Sequence, residues 1–379
     1  MDTSPARIGE RLHEAREAAR LDLATLAIAA QIERDRLEAA ERGCSLTGLE
    51  LARAAEVLGL SDVDLAADGP LPGTAVGVLL RGEAERGALA PHLGRLKSIA
   101  RDLTELHAML GVENPAILDP FRSRAASQPT PWSQGEALAA ELRQFLDLGA
   151  APIRSMRELL LQLSIKILWT EALDESIHGL TLYDSGSGAT IVANRRGALA
   201  KWWSLRMTLA HELCHQIFDR APKQPLGRVS RANSSDPVEQ RANAFAIYFL
   251  APPAGVERFL RDKGQRRQNV DPYAVHQLME HFALGKEATT QHLRNLGWID
   301  DAAHRALLEQ RYVVESTTDS EFPWSYPPLD RWLEIGVPLE RLELIEPALA
   351  AYRSDQITLG RLRELLDLDP FVPIAEFAA

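Results

Sequence analysis

Cysteine is nearly absent: Cys44 and Cys214 are the only two in 379 residues. So sparse a pair builds neither a disulfide framework nor a Cys-based zinc cluster, and the chain reads as a cytoplasmic protein. Long apolar runs are missing too. No stretch reaches the roughly 18 residues that span a bilayer, so no membrane partner is expected. The start, Met1-Asp2-Thr3-Ser4, lacks a charged segment followed by an apolar run, and no secretion signal is expected there. Positive charge is in deficit: the formal net charge of -11 argues against whole-chain attraction to nucleic acid. No internal repeat is visible. What remains is ordinary globular composition, 46% apolar and 25% charged, over a length that suits two or three domains.

Helical spacing of Ile8, Leu12, Ala15 and Ala19 begins a compact helical unit, with short helices expected around 23–31, 33–41 and 47–58. Gly69-Pro70-Leu71-Pro72-Gly73 breaks the chain and sets a first domain at 1–70. Residues 71–132 read as a helical connector, one or two helices over 75–110, followed by a linker rich in Pro, Ser and Gln between Glu113 and Gly135. A third domain is expected at 133–300. It holds helices at 135–147 and 155–163 and strands at Ile165–Trp169, Gly179–Tyr183 and Thr190–Ala193. A hairpin loop is expected at Asp184-Ser185-Gly186-Ser187-Gly188, and then helices at 202–218, 237–250, 272–283 and 287–295. Pro323, Pro327 and Pro328 interrupt a helical C-terminal region, 301–379, whose role cannot be read. The fold class is therefore mainly α with a small β-sheet, α+β.

Residues 211–215 read His211-Glu212-Leu213-Cys214-His215, an H-E-x-x-H pattern. Four residues are slightly more than one helical turn, so both imidazoles leave one face and can meet on one zinc ion, one per chain. Glu212 points beside the metal, where it can take a proton from an activated water. The motif follows the apolar run from Leu205 to Ala210, and polar side chains in a buried helix are costly unless bonded to something. A catalytic zinc needs a third protein ligand. Glu239, near the start of the next helix, is one candidate, with Asp219, Asp236 and His276 as competitors. Its alternative role is a first-turn carboxylate favoured by the helix dipole. Asn243, one turn on from Glu239, is placed to support a ligand from behind. Cys214 reads as a buried core thiol, with a redox-sensitive thiol beside the zinc as the alternative.

The stretch Thr208-Leu209-Ala210-His211-Glu212-Leu213-Cys214-His215, with Glu239-Gln240-Arg241-Ala242-Asn243-Ala244-Phe245-Ala246, resembles the ImmA/IrrE family of zinc metallopeptidases. Ile191-Val192-Ala193-Asn194 before it and Leu293-Arg294-Asn295-Leu296-Gly297-Trp298-Ile299 after it extend the likeness over roughly 135–300. The resemblance implies a zincin-like domain. Its ligands would be His211, His215 and Glu239, its base Glu212, and its protein substrate a helix-turn-helix repressor cut under stress or mobile-element induction. Cys214 departs from the small residue usual there.

Residues 8–65 resemble an XRE-type helix-turn-helix domain. Leu26, Ala27, Ile32, Leu37 and Ala40 stand at core positions, and Ile32–Ala40 would be the recognition helix. Arg34 and Arg36 are its possible DNA contacts. Yet residues 1–68 carry 14 acidic against 8 basic side chains, a poor start for phosphate binding, and a dimerisation or docking module is the alternative. Between Asn194 and Arg231 the balance reverses. Arg195, Arg196, Lys201, Arg206, Arg220, Lys223, Arg228 and Arg231 face only Glu212 and Asp219. A basic rim of Arg195, Arg196 and Lys201 beside Trp202 and Trp203 is expected to attract an acidic protein face or single-stranded nucleic acid. The competing functions are a DNA-binding regulator with a sensory zincin-like domain, and a toxin–antitoxin component.

Overall fold

Side-chain caps start four of the first five helices. α1 (Pro5–Ala18) opens on Ser4, α2 (Leu23–Ala30) on Asp22, α4 (Gly48–Leu58) on Thr47 and α5 (Asp62–Ala66) on Ser61; only α3 (Arg34–Glu41) has no side-chain cap. Each cap oxygen accepts a backbone N–H that the first helical turn leaves without a partner. The computed structural model describes residues 4–19, 21–67, 71, 83–113, 117–184, 187–219, 226–231, 235–311, 321–322 and 329–374. α1–α5 enclose their own core of Leu12, Leu26, Ile32, Leu37, Ala54, Leu58 and Leu65.

α6 (Glu83–Met109) runs 27 residues as one helix. The Pro/Gly break before it lies, apart from Leu71, outside the described residues. α6 packs on α4 through Gly94, where an added Cβ would sit 1.9 Å from the Glu56 carbonyl oxygen and 2.7 Å from that of Val57. Backbone therefore meets backbone. Gly94→Ala is expected to cost about 1–3 kcal/mol by forcing the two helices apart. A urea midpoint no lower than that of the unmodified protein would show that the contact relaxes freely.

Residues 117–130, expected as linker, are tied down instead. Ala125 is fully buried, Ser123 Oγ donates to Glu141 Oε2 at 2.5 Å, and the Arg124 N–H donates to the same carboxylate at 3.1 Å. α7 then starts earlier than expected, spanning Pro131–Phe145, because Thr130 caps it and proline suits the first helical position. α8 covers Met156–Gln162.

Among the described residues the sheet has four strands in the order β1-β3-β2-β4, where three were expected. β1 (Lys166–Thr170) runs parallel to β3 (Gly188–Asn194); β2 (Ile177–Asp184) is antiparallel to β3 and to β4 (Leu226–Arg231). The unforeseen β4 reads Leu-Gly-Arg-Val-Ser-Arg, with too little apolar alternation to stand out as a strand. Residues 185–186 of the expected hairpin loop lie outside the described residues.

α9 (Trp202–Cys214) crosses the sheet, and α10 (Pro237–Leu250) packs on both α9 and α7. α11 (Pro253–Asp262) was missed because Pro252-Pro253 looks like a break, whereas Pro253 takes the first helical position. α12 (Pro272–Phe282), α13 (Lys286–Asn295) and α14 (Asp301–Glu309) follow, then α15 (Leu329–Glu334), α16 (Ile345–Arg353) and α17 (Leu359–Leu366). Pro323, Pro327 and Pro328 lie outside the described residues.

The C-terminal helices share one core with the sheet: Trp332, Leu344, Ile345 and Leu362 belong to the same cluster as Ile167, Leu168 and Val192. A 3₁₀ turn at Leu339–Leu344 lies along β1, where Trp169 Nε1 donates to Glu343 at 2.9 Å and Thr170 Oγ1 to Glu340 at 2.7 Å. The architecture is thus mainly helical around a small mixed sheet.

Candidate metal centre

Leu205, Leu209, Ala210 and Leu213 pin α9 into the core, so the polar residues of its last turn are carried inward with them. Helical geometry holds to Cys214; from His215 to Asp219 the chain continues as a single π-helical turn. Such wide turns cost hydrogen-bond quality and tend to mark functional sites.

His211 Nε2 and His215 Nε2 lie 3.1 Å apart. Glu239, at the start of α10, brings Oε2 to 3.2 Å from the first nitrogen and Oε1 to 3.6 Å from the second. A tetrahedral site with metal–ligand bonds of about 2.0–2.1 Å has donor–donor edges of about 3.3–3.4 Å. The two imidazole nitrogens and the Glu239 carboxylate, one oxygen toward each, therefore lie close to the spacing such an ion needs.

The opposite ring nitrogens settle which atoms face inward. His211 Nδ1 donates to Asn243 Oδ1 at 3.0 Å, and His215 Nδ1 donates to Asp219 Oδ2 at 2.6 Å. Both Nε2 atoms then present lone pairs to each other and to a carboxylate, all inside the core. That arrangement repels itself unless a cation sits in it. Titration points the same way. Burial pulls the His211 pKa down, but Glu239, Glu212 and Asn243 outweigh it, and the net shift is upward. The pocket holds excess negative charge and attracts a cation.

The competing third ligands are accounted for. Asp219 orients His215, and its other oxygen takes Arg241, which also donates to Gln134 at 3.2 Å and lies over the Phe218 ring. Asp236 caps α10, accepting from Val238 N at 2.9 Å. His276 pairs with Glu280 on α12. Among the described residues, His211, His215 and Glu239 are the group that could hold a metal ion.

Glu212 is fully buried beside that group. Thr181 Oγ1 of β2 donates to its Oε2 at 2.6 Å, while Oε1 is buried with no hydrogen-bond partner among the described residues. β2 comes this close because residue 179 is glycine: an added Cβ would lie 2.8 Å from Glu212 Oε1. One oxygen is thus fixed and the other stays available for a water or a substrate atom. Sequence reasoning missed Thr181, Arg241 and Gln134. Asn243 was the member of this supporting layer expected from the sequence, one turn on from Glu239, and it holds His211; Asp219, expected as a competing ligand, holds His215 instead.

Cys214 is fully buried, and burial pushes its thiol pKa well up, which favours the inert core thiol over the redox-sensitive one.

Two of the other expectations need correction. Arg195 does not stand on an exposed rim: it is buried, its guanidinium 3.6 Å from the centre of the Phe322 ring. Arg206 is fully buried and ion-paired with Glu321 at 2.6 Å. A long flexible side chain finds an aromatic or acidic partner from distant sequence, which local charge counting cannot see. Arg196 and Lys201 are exposed; the side chains of Arg220, Lys223, Arg228 and Arg231 lie outside the described residues. Trp202 and Trp203 are half-buried and meet edge to face, and Trp203 lies against Gly285.

In the N-terminal unit, Arg34 and Arg36 are both on the exposed side of α3. Arg36, however, is bound to Glu50: Nη2 donates to Oε2 at 2.7 Å, and that guanidinium, with Thr47, draws the Glu50 carboxyl down to about 2.

Comparison with known proteins adds one finding. A peptidase family model described as an IrrE N-terminal-like domain matches residues 204–294, the stretch that carries all three donor residues and Glu212. The match supports the ImmA/IrrE likeness and suggests a metallopeptidase of that type; α7, α8 and strands β1–β3 lie outside it. No curated protein is significantly similar to the chain.

Proposed function

We propose that this protein is a zinc-dependent endopeptidase that hydrolyses a peptide bond in a regulatory protein, a helix-turn-helix repressor being the expected substrate class. The observation that carries the reading is the donor triad at tetrahedral spacing with Glu212, one residue from His211, left one open carboxylate oxygen. When bound, zinc would polarise the scissile carbonyl and acidify a water molecule. The chain's own groups do the rest. Glu212, steadied by Thr181, accepts a proton as the water oxygen bonds to the carbonyl carbon. It then returns that proton to the leaving nitrogen as the C–N bond breaks. Asn243 and Asp219 hold both imidazoles in the tautomer that turns Nε2 inward.

Metal analysis joined to a cleavage assay tests the reading. Purified protein should hold about one zinc per chain and lose cleavage on chelation. Glu239→Ala should lower zinc occupancy, since two imidazoles alone leave the ion under-coordinated. Full zinc and full activity in that variant would move the third ligand elsewhere.

For α1–α5 we propose a helix-turn-helix module that docks or dimerises more than it reads DNA. Its acidic balance and the Arg36–Glu50 pair leave little for phosphates. DNA binding should be weak and salt-sensitive. Tight sequence-specific binding that survives about 0.2 M salt and disappears in Arg34→Ala would instead make this a DNA-binding regulator.

A further inference from the structure

β2 and β4 are out of step at one point. Ile177 pairs with Arg231 and Gly179 with Ser230, neighbours on β4, so His178 is an extra residue with no opposite number. The β2–β3 ladder likewise begins only at Gly179. A bulge of this kind re-aims a side chain, and bulges gather beside active sites. This one adjoins Gly179, where an added Cβ would lie 2.8 Å from both Thr208 and Glu212, and it lies three residues before Thr181, which binds Glu212. His178 is half-buried, and among the described residues its imidazole has no hydrogen-bond partner. It is not one of the donor group, whose atoms lie within 4.8 Å of one another. The imidazole carries an N–H donor in either tautomer. Strand packing alone accounts for none of this: a half-buried strand position is filled more readily by a β-branched side chain.

We propose that His178 touches the substrate, donating its ring N–H to the scissile carbonyl oxygen as that oxygen gains charge, while Glu212 acts on the water. The proposal rests on the peptidase reading above and deepens it. It gives the site two acting side chains of opposite kind: Glu212, a proton acceptor on α9, and His178, a donor on β2. A donor aimed where charge develops contributes more to the transition state than to substrate binding.

The test uses the full-length zinc-loaded chain and two probes. Acetohydroxamate chelates the metal and needs no donor for a charged carbonyl oxygen. An N-acetylated phosphinic dipeptide carries tetrahedral oxygens that stand in for one. In His178→Ala, zinc content and acetohydroxamate affinity should match the unmodified protein, while phosphinate affinity falls about 10²–10³-fold. His178→Gln, which keeps an N–H donor, should fall between. Equal affinity for the phosphinate in all three proteins overturns the proposal, as does a parallel loss of zinc and of both probes, which marks a structural role. If the unmodified chain binds neither zinc nor the phosphinate, the peptidase reading itself fails and this inference with it.

Discussion

Replacing Glu212 with Gln lowers the cleavage rate about 10³–10⁴-fold and leaves the metal content unchanged. The amide is close in shape, so it still accepts the Thr181 hydroxyl and still fills the space beside Gly179. It cannot take a proton, and its NH₂ presents a donor where Oε1 offered an acceptor. None of the donor atoms of the metal group belongs to Glu212, so the metal content is expected to stay the same. The measurement is cleavage of a repressor substrate, with metal analysis on the same sample. Retained proteolysis in this variant would sink the assigned mechanism, whatever the zinc content.

Glu321→Ala destabilises the protein by about 3–5 kcal/mol, because it leaves the Arg206 guanidinium buried without its counter-charge. Both side chains are fully buried. Arg206 also donates to the carbonyls of Ile153 and Arg154, and Glu321 accepts from Arg157 N at 2.9 Å and from Ser155 Oγ at 3.3 Å. One pair thus joins α9 to the turn before α8 and to the C-terminal region. A double change, Arg206→Met with Glu321→Leu, should recover most of the loss, since apolar packing replaces a buried ion pair at little cost. Urea unfolding of the two variants beside the unmodified protein decides it. A single variant no less stable than the unmodified protein means that water reaches the arginine.

The two histidines were legible because their chemistry is local: four residues apart, they leave one helix face. Glu239 stood by spacing beside Asp219, Asp236 and His276, and the packing of α10 on α9 brings it to the histidines. Helix positions were legible for the same local reason, through periodic apolar residues such as Ile8, Leu12 and Ala15. What stayed hidden depends on contacts between distant segments. Glu321 lies 115 residues from Arg206, and Gln134 lies 107 from Arg241. Phe322 turns Arg195 from a surface charge into a stacked, buried one. The fourth strand, Leu226–Arg231, has a composition that only a paired neighbour makes into a strand.

The glycine contact on α6 has a mechanical meaning. A helix of 27 residues is a stiff rod about 40 Å long. At Gly94 it presses directly on the backbone of α4, with no layer of side chains between to absorb a displacement. Farther along, the same rod rests against β1 and α16, inside the core that also holds α9. A partner gripping the exposed side of α3 would therefore load a shaft seated in the core that holds α9, as a hand on a handle loads the blade, and would not be pulling on a bead tied to a string.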